Sequence, residues 1–269
     1  MDKLNNKILV IPDIHCRKFW RQSIEESKDS VDKVIFLGDY LDPYPEEIKM
    51  APELMECNDF YDAHSNLNML NDILSFKKEN PDKVILLCGN HTCSYIWSKF
   101  SAASRTDYRN WEKYHKFFSE NLEYFNLVWT EGNTIFSHAG ISKGWAEEVA
   151  VELSLTIDLN NPVKSIAKYL SNVNLNDILD KKLIKLLGDI SGYRGGCSLN
   201  GSCEWADLRE HIDIKNSRDS ITSIGEEGVY QIFGHTQLKE PLITDKWACV
   251  DCREGFIFDT ITHEYKSCL

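Results

Sequence analysis

Three times near its start the chain runs through a short stretch rich in Val, Ile and Leu and ends it on side chains that can bind a cation. Lys7 to Ile11 leads into Pro12-Asp13-Ile14-His15, Val31 to Leu37 into Gly38-Asp39-Tyr40-Leu41-Asp42, and Lys83 to Leu87 into Gly89-Asn90-His91. Polar, helix-compatible stretches, Phe19 to Lys28 and Asn66 to Lys78, separate these runs. In the second stretch Leu67, Leu70, Ile73 and Leu74 recur at helical spacing before Asn80-Pro81-Asp82 breaks it. This β-α-β rhythm, with strands apolar almost throughout, predicts a layered α/β fold whose strands are covered by helices on both faces.

Two further segments follow the same plan. Asn133 to Phe136 leads into Ser137-His138-Ala139-Gly140, and Val229 to Phe233 into Gly234-His235-Thr236. In an open α/β sheet, side chains just beyond the carboxyl ends of strands point into one crevice. Asp13, Asp39, Asn90 and His138 are therefore expected to converge there.

The stretch from Ser142 to Ile224 reads as an insertion over one end of the sheet. It holds amphipathic helices around Gly144 to Leu153 and Pro162 to Leu187, then a loop, Gly188 to Ser202, rich in Gly, Ser and Cys. Val229 to Phe233, Pro241 to Thr244, Trp247 to Asp251 and Phe256 to Phe258 are expected to form a second, mixed sheet. The aromatics Trp97, Trp111, Tyr114, Phe117 and Phe118, within Tyr95 to Phe125, read as packing. His64, His115, His211 and His263 read as surface or helix residues. No Pro-, Ser- or Gly-rich linker divides the 269 residues, so one domain, 1–269, is expected, with the insertion at about 142–224.

Composition removes several function classes. No apolar run approaches the roughly 20 residues that span a bilayer, and the polar start Met1 to Asn6 has no leader pattern; a soluble, cytoplasmic protein without a membrane partner is expected. The nine cysteines are odd in number and scattered, which fits reduced thiols. A net charge of -12 argues against a broad nucleic-acid surface. It does not exclude a small phosphorylated ligand, because bound metals can invert the local field.

Aspartate and asparagine oxygens mixed with imidazole nitrogens suit Mn, Fe or Zn better than Ca or Mg. A carboxylate can bridge two such ions, and a pair about 3.5 to 4 Å apart clamps the attacking and leaving oxygens of an in-line displacement. Two divalent ions, two aspartates and one hydroxide sum to about +1, which attracts phosphate.

The five segments resemble the calcineurin-like metallophosphoesterase superfamily, and within it the phosphoprotein phosphatase branch with its bacterial and phage relatives. The resemblance implies a β sandwich flanked by helices, with the insertion near the active site, and two divalent metal ions. Asp13, His15 and Asp39 would hold one ion and Asp39, Asn90, His138 and His235 the other, with Asp39 as the bridge. His91 would be the general acid or transition-state donor, oriented by Asp42. The implied reaction is hydrolysis of phosphomonoesters by a metal-bridging hydroxide, on a phosphorylated small molecule, nucleotide or phosphoprotein. A dinucleoside polyphosphate hydrolase or nucleotide phosphodiesterase is the alternative, and a non-catalytic binding protein on the same fold a third reading.

The chain departs from that pattern in ways that matter. Gln237 stands where many relatives carry a second C-terminal histidine, which points to the phosphoprotein phosphatase branch. Pro43 and Cys88 replace that branch's two phosphate-gripping arginines, and Thr92 replaces its acid after Gly89-Asn90-His91. Arg194, in Tyr193-Arg194-Gly195-Gly196, is the candidate replacement grip, since glycines let an anion approach closely. Asp207 joins it because Glu204-Trp205-Ala206-Asp207 is similar to a Trp-x-Asp segment of that branch; otherwise Asp207 is an N-cap and Trp205 a core anchor. Arg105 and Arg109 are the remaining candidates.

Overall fold

The computed structural model describes residues 6–100, 103–177, 181–212 and 224–268. In chain order its elements are β1 (Lys7–Ile11), α1 (Phe19–Ser27), β2 (Lys33–Phe36), α2 (Pro45–Met50), α3 (Ala63–Glu79), β3 (Val84–Leu87), α4 (Asn90–Ile96), α5 (Trp111–Glu120), β4 (Phe125–Asn126), β5 (Val128–Glu131) and β6 (Thr134–Ser137). Then follow α6 (Lys143–Glu152), α7 (Pro162–Leu170), α8 (Lys181–Leu187), α9 (Leu208–Ile212), β7 (Tyr230–Phe233), β8 (Leu242–Ile243), β9 (Trp247–Cys249), β10 (Phe256–Asp259) and β11 (Tyr265–Ser267). Two compact units divide them: Met1–Ser98, Ala102–Phe125 and Arg253–Leu269 make the first, Lys99–Ser101 and Asn126–Cys252 the second.

The first unit carries a sheet of order β11-β10-β1-β2-β3-β4. Its centre is parallel, with Leu9 opposite Val34 and Val34 opposite Val84, as the β-α-β rhythm requires. These strands are buried nearly throughout, which is why they read as unbroken apolar runs. Helix α3 buries Met69, Leu70, Ile73 and Leu74, and the Asp62 carboxylate caps it by accepting from Ser65 N at 3.1 Å. On α5, Tyr114, Phe117 and Phe118 are buried, and Trp111 stacks on His115 while its indole N–H donates to the Ser94 carbonyl. Packing is thus what these aromatics do.

One strand lands elsewhere than its sequence suggests. Phe256–Phe258, expected in the second sheet, belongs to β10 and pairs antiparallel with β1, Val10 opposite Phe256 and Ile8 opposite Phe258. Without it the apolar β1 would be an open edge, a template for unwanted pairing. Alternation decides the face: Phe256 and Phe258 are buried, Ile257 and Asp259 only partly.

The second unit carries a mixed sheet, β5-β6-β7-β9-β8, parallel at β6, β7 and β9 and antiparallel at both edges. β6, which leads into His138, lies here, so the five ligand segments follow strands of two sheets and not one. Helices α6 to α9 fall between β6 and β7, where the insertion was expected; 213–223 lie outside the described residues. The long helix expected over Pro162 to Leu187 is broken after Leu170. Asn172 folds its side-chain amide back to the Lys168 carbonyl at 2.6 Å, and a single 3-10 turn covers Leu175–Asp177. Short polar side chains compete in this way for the backbone groups that a continuing helix needs. Among the described residues no helix is long and apolar enough to cross a membrane.

Candidate active site

In the first unit the parallel pairing of β1 and β2 continues past the strand ends. His15 N donates to the Asp39 carbonyl at 2.7 Å and Cys16 N to the Tyr40 carbonyl at 2.9 Å. The turn after β2 in turn lies flat on the turn after β3: Gly38 has φ +113°, and a Cβ there would stand 2.6 Å from the Cys88 carbonyl oxygen. Only glycine fits. The result is that Asp39 Oδ1 accepts from His91 N at 2.9 Å, and His15 Nε2 stands 3.7 Å from Asp39 Oδ2. Ligand atoms of His15, Asp39 and His91 lie within 4.8 Å of one another, as do carboxylate oxygens of Asp13 and Asp39. Asn90, the first residue of α4, is buried with them.

Non-glycine residues with positive φ are uncommon, and their strain gathers at functional sites. His15 (φ 44°), Asp39 (48°) and Asp42 (62°) are all of this kind. His15 Nδ1 donates to the Leu41 carbonyl at 2.8 Å, which fixes the tautomer that leaves Nε2 with its lone pair. Burial, then the neighbouring His91, hold His15 well below the ordinary histidine range against the opposing pull of Asp39. A neutral imidazole with a free Nε2 is what a metal ion requires.

Asp42 and His91 form a buried pair, His91 Nδ1 donating to Asp42 Oδ2 at 2.6 Å. The other carboxylate oxygen, Oδ1, accepts a short hydrogen bond from the Tyr95 hydroxyl. Tyr95 in turn accepts from Asp107 N at 2.8 Å. Burial pushes the Asp42 carboxyl up, and the hydrogen bond from His91 pulls the other way. His91 and Tyr95 are four apart on α4 and share one helix face, so a single turn of helix grips both oxygens of Asp42.

The second unit supplies a different constellation. His138 Nε2 and His235 Nδ1 are 3.0 Å apart, and His235 is another positive-φ residue (64°). Backbone bonds hold both: Gly234 N to the His138 carbonyl at 2.8 Å and Ala139 N to the Cys203 carbonyl at 2.7 Å. The Trp205 ring meets His235 edge-on at 6.0 Å. Asp207, fully buried, is ion-paired with Arg194, Nε to Oδ2 2.7 Å, and accepts from Arg209 Nε at 2.8 Å, and the two arginines hold its carboxyl below the ordinary range although burial opposes them. Arg194 Nη2 donates to the His235 carbonyl and to Thr236 Oγ1, both at 3.0 Å.

The family model described as calcineurin-like phosphoesterase matches residues 6–238. The chain belongs to that family. Among solved structures, the phosphoesterase is similar to the cold-active protein-tyrosine phosphatase of a psychrophilic Shewanella species, at 14% identity and a TM-score of 0.56, covering 98% of this chain and 80% of that one. It also matches a protein serine/threonine phosphatase from Saccharomyces cerevisiae at 13% identity and a TM-score of 0.49, covering 95% and 72%. Comparison with curated proteins finds no match. At these identities the Shewanella likeness bears on the fold alone, two sheets with flanking helices.

The phosphoesterase family holds divalent metal ions, and the donor sets here fit them: buried carboxylates beside an imidazole locked in its Nδ1–H tautomer in one unit, two buried imidazoles in the other. The first unit brings together Asp13, His15, Asp39, Asp42, Asn90 and His91; the second brings together His138, His235, Arg194 and Asp207. The guanidinium of Arg194 is engaged by Asp207, His235 and Thr236. Gly196 is a glycine because a Cβ would stand 2.0 Å from the Ile190 carbonyl oxygen, a packing demand rather than an anion cradle. Tyr95 escaped the sequence reading, where it only marks the start of an aromatic-rich stretch. Its signal was present: a hydroxyl four residues after His91.

Proposed function

We propose that this phosphoesterase hydrolyses phosphomonoesters, on a small molecule, nucleotide or phosphoprotein, with two divalent ions held by Asp13, His15, Asp39 and Asn90 together with His138 and His235. The two units then act as one catalytic domain. What supports the reading most is the buried Asp42–His91 pair next to a histidine that burial keeps neutral and its Leu41 hydrogen bond locks in the Nδ1–H tautomer. Bound Mn, Fe or Zn would supply Lewis-acid charge and lower the pKa of water.

The chain's own residues do the rest. Asp42 accepts from Nδ1–H of a doubly protonated His91 and turns its Nε2–H outward. As a water oxygen bonds to phosphorus and the ester P–O bond breaks, His91 Nε2 gives its proton to the leaving oxygen and is left neutral, and the proton released by the water restores it. Arg105 is the arginine we assign to the phosphate. It bonds the Asp42 carbonyl through Nε at 3.4 Å, lies 3.7 Å from the centre of the Tyr44 ring, and Tyr44 meets His15 edge-on at 5.3 Å. Arg194 and Asp207 we assign to positioning His235. The nine cysteines are all free thiols, which suits the cytoplasm.

Metal analysis of the purified protein, followed by a substrate panel, tests this. Mn-supported turnover of an aryl phosphate monoester is expected, abolished by chelation and by Asp39→Ala. Protein that carries no divalent metal and gains no activity with Mn would sink the proposal. Preference for a bis ester or a dinucleoside tetraphosphate over the monoester would replace it with the diesterase or polyphosphate reading.

A further inference from the structure

We infer that Tyr95 is a positioning residue for the leaving-group step: its hydroxyl fixes Asp42 so that His91 is held with Nε2 toward the departing oxygen. The inference rests on the phosphomonoesterase reading for its kinetic consequence, but on geometry for the clamp itself. A carboxylate held by one hydrogen bond can rotate about its Cβ–Cγ axis and exchange oxygens. Asp42 cannot, because His91 occupies Oδ2 and Tyr95 occupies Oδ1, which Asp107 N also reaches by a long bond of 3.4 Å.

The tyrosine is itself fixed. Asp107 N donates to its oxygen at 2.8 Å, so the hydroxyl proton has one acceptor to face. Asp107 is anchored in turn, its carboxylate accepting from Arg109 N, Asn110 N and Asn110 Nδ2. Tyr114 meets the Tyr95 ring edge-on at 5.1 Å and Phe118 stacks on it at 6.5 Å. Tyr95 is fully buried, and burial together with the Asp42 charge pushes its hydroxyl far above the ordinary tyrosine value. It therefore stays a donor. A network satisfied at every member in this way specifies one geometry.

The consequence is selective. Removing the hydroxyl leaves the donors of Asp13, His15 and Asp39 untouched but leaves Asp42 Oδ1 only the long bond from Asp107 N, so Asp42 is loosened and proton delivery by His91 suffers. An ester with an acidic phenol as leaving group needs that proton little; an alkyl phosphate needs it most.

The test is Tyr95→Phe against wild type, Mn-loaded, over phosphate monoesters from nitrophenyl to alkyl, with Tyr114→Phe as a packing control. The kcat loss for alkyl esters is expected to exceed that for nitrophenyl phosphate by about tenfold, with the control flat across the series. An equal loss for every leaving group, or none, overturns the inference. A second readout needs neither activity nor a variant. In metal-free wild type the Tyr95 hydroxyl proton should give a slowly exchanging low-field resonance with a nuclear Overhauser contact to Asp107 N–H, and its absence would also overturn the clamp. If wild type hydrolyses no monoester, the functional reading fails while this resonance still decides the clamp.

Discussion

The two candidate constellations, one in each unit and each called a half below, are stiffened by different means. In the first unit, carboxylates hold imidazoles: Asp42 holds His91, and Asp39 accepts the His91 amide. These side chains sit where parallel strands end, on backbone pairing that continues from β1 and β2. In the second unit a loop reaches in, and Arg194, anchored on buried Asp207, ties the backbone and neighbour of His235. The first half is organised to control a proton; the second only has to present lone pairs. Substitutions should therefore separate proton transfer from metal retention.

The largest effect expected is in the first half. His91→Ala should lower kcat by about 10²- to 10⁴-fold with metal content unchanged, read by steady-state kinetics beside elemental analysis. Loss of metal along with activity would mean His91 is a ligand and not the proton donor, and the contrast between the halves would collapse.

Arg194→Ala probes the second half more gently. Freed from its strap, the His235 loop should lose metal affinity by about 10- to 100-fold, the usual cost of removing a group that orients a ligand, while the KM for a monoester measured at saturating Mn stays near wild type. Arg105→Ala should do the reverse, raising KM and weakening inhibition by inorganic phosphate with metal affinity intact. If Arg194→Ala instead raises KM and spares metal affinity, Arg194 is the phosphate grip and the assignments of the two arginines exchange.

The same asymmetry governed what could be read from sequence. Asp13, Asp39 and Asn90 were legible because each follows an apolar strand run, and strand periodicity and turn glycines are local signals. That His138 follows a strand of a different sheet, and that Phe256–Phe258 returns to pair with β1, depends on long-range pairing that no local pattern encodes. Arg194 reads as an anion grip while its neighbours are unknown. Only the fold shows that Asp207, thirteen residues on and fully buried, faces it. Tyr95 lay between: the four-residue spacing from His91 was visible, but its partner Asp42 belongs to another segment.

Helix caps offer the smallest and sharpest comparison between the units. α3 in the first is capped by a carboxylate, Asp62 accepting from Ser65 N, and α6 in the second by a hydroxyl, Ser142 accepting from Trp145 N at 3.1 Å. Either cap replaced by alanine should cost about 1 kcal/mol at neutral pH. Only one of them titrates. Backbone N–H bonds from Ser65 and Asn58 outweigh desolvation and bring the Asp62 carboxyl down to about 2 from its ordinary 3.8. A depressed folded-state value means that the stabilisation is complete above the unfolded value and is lost as pH falls from about 4 towards 2. Denaturant melts at about pH 7 and about pH 3 should therefore show the penalty of Asp62→Ala shrinking with acid while that of Ser142→Ala holds. Equal penalties for Asp62→Ala at both pH values would show that packing around Asp62, and not its charge, stabilises the start of α3.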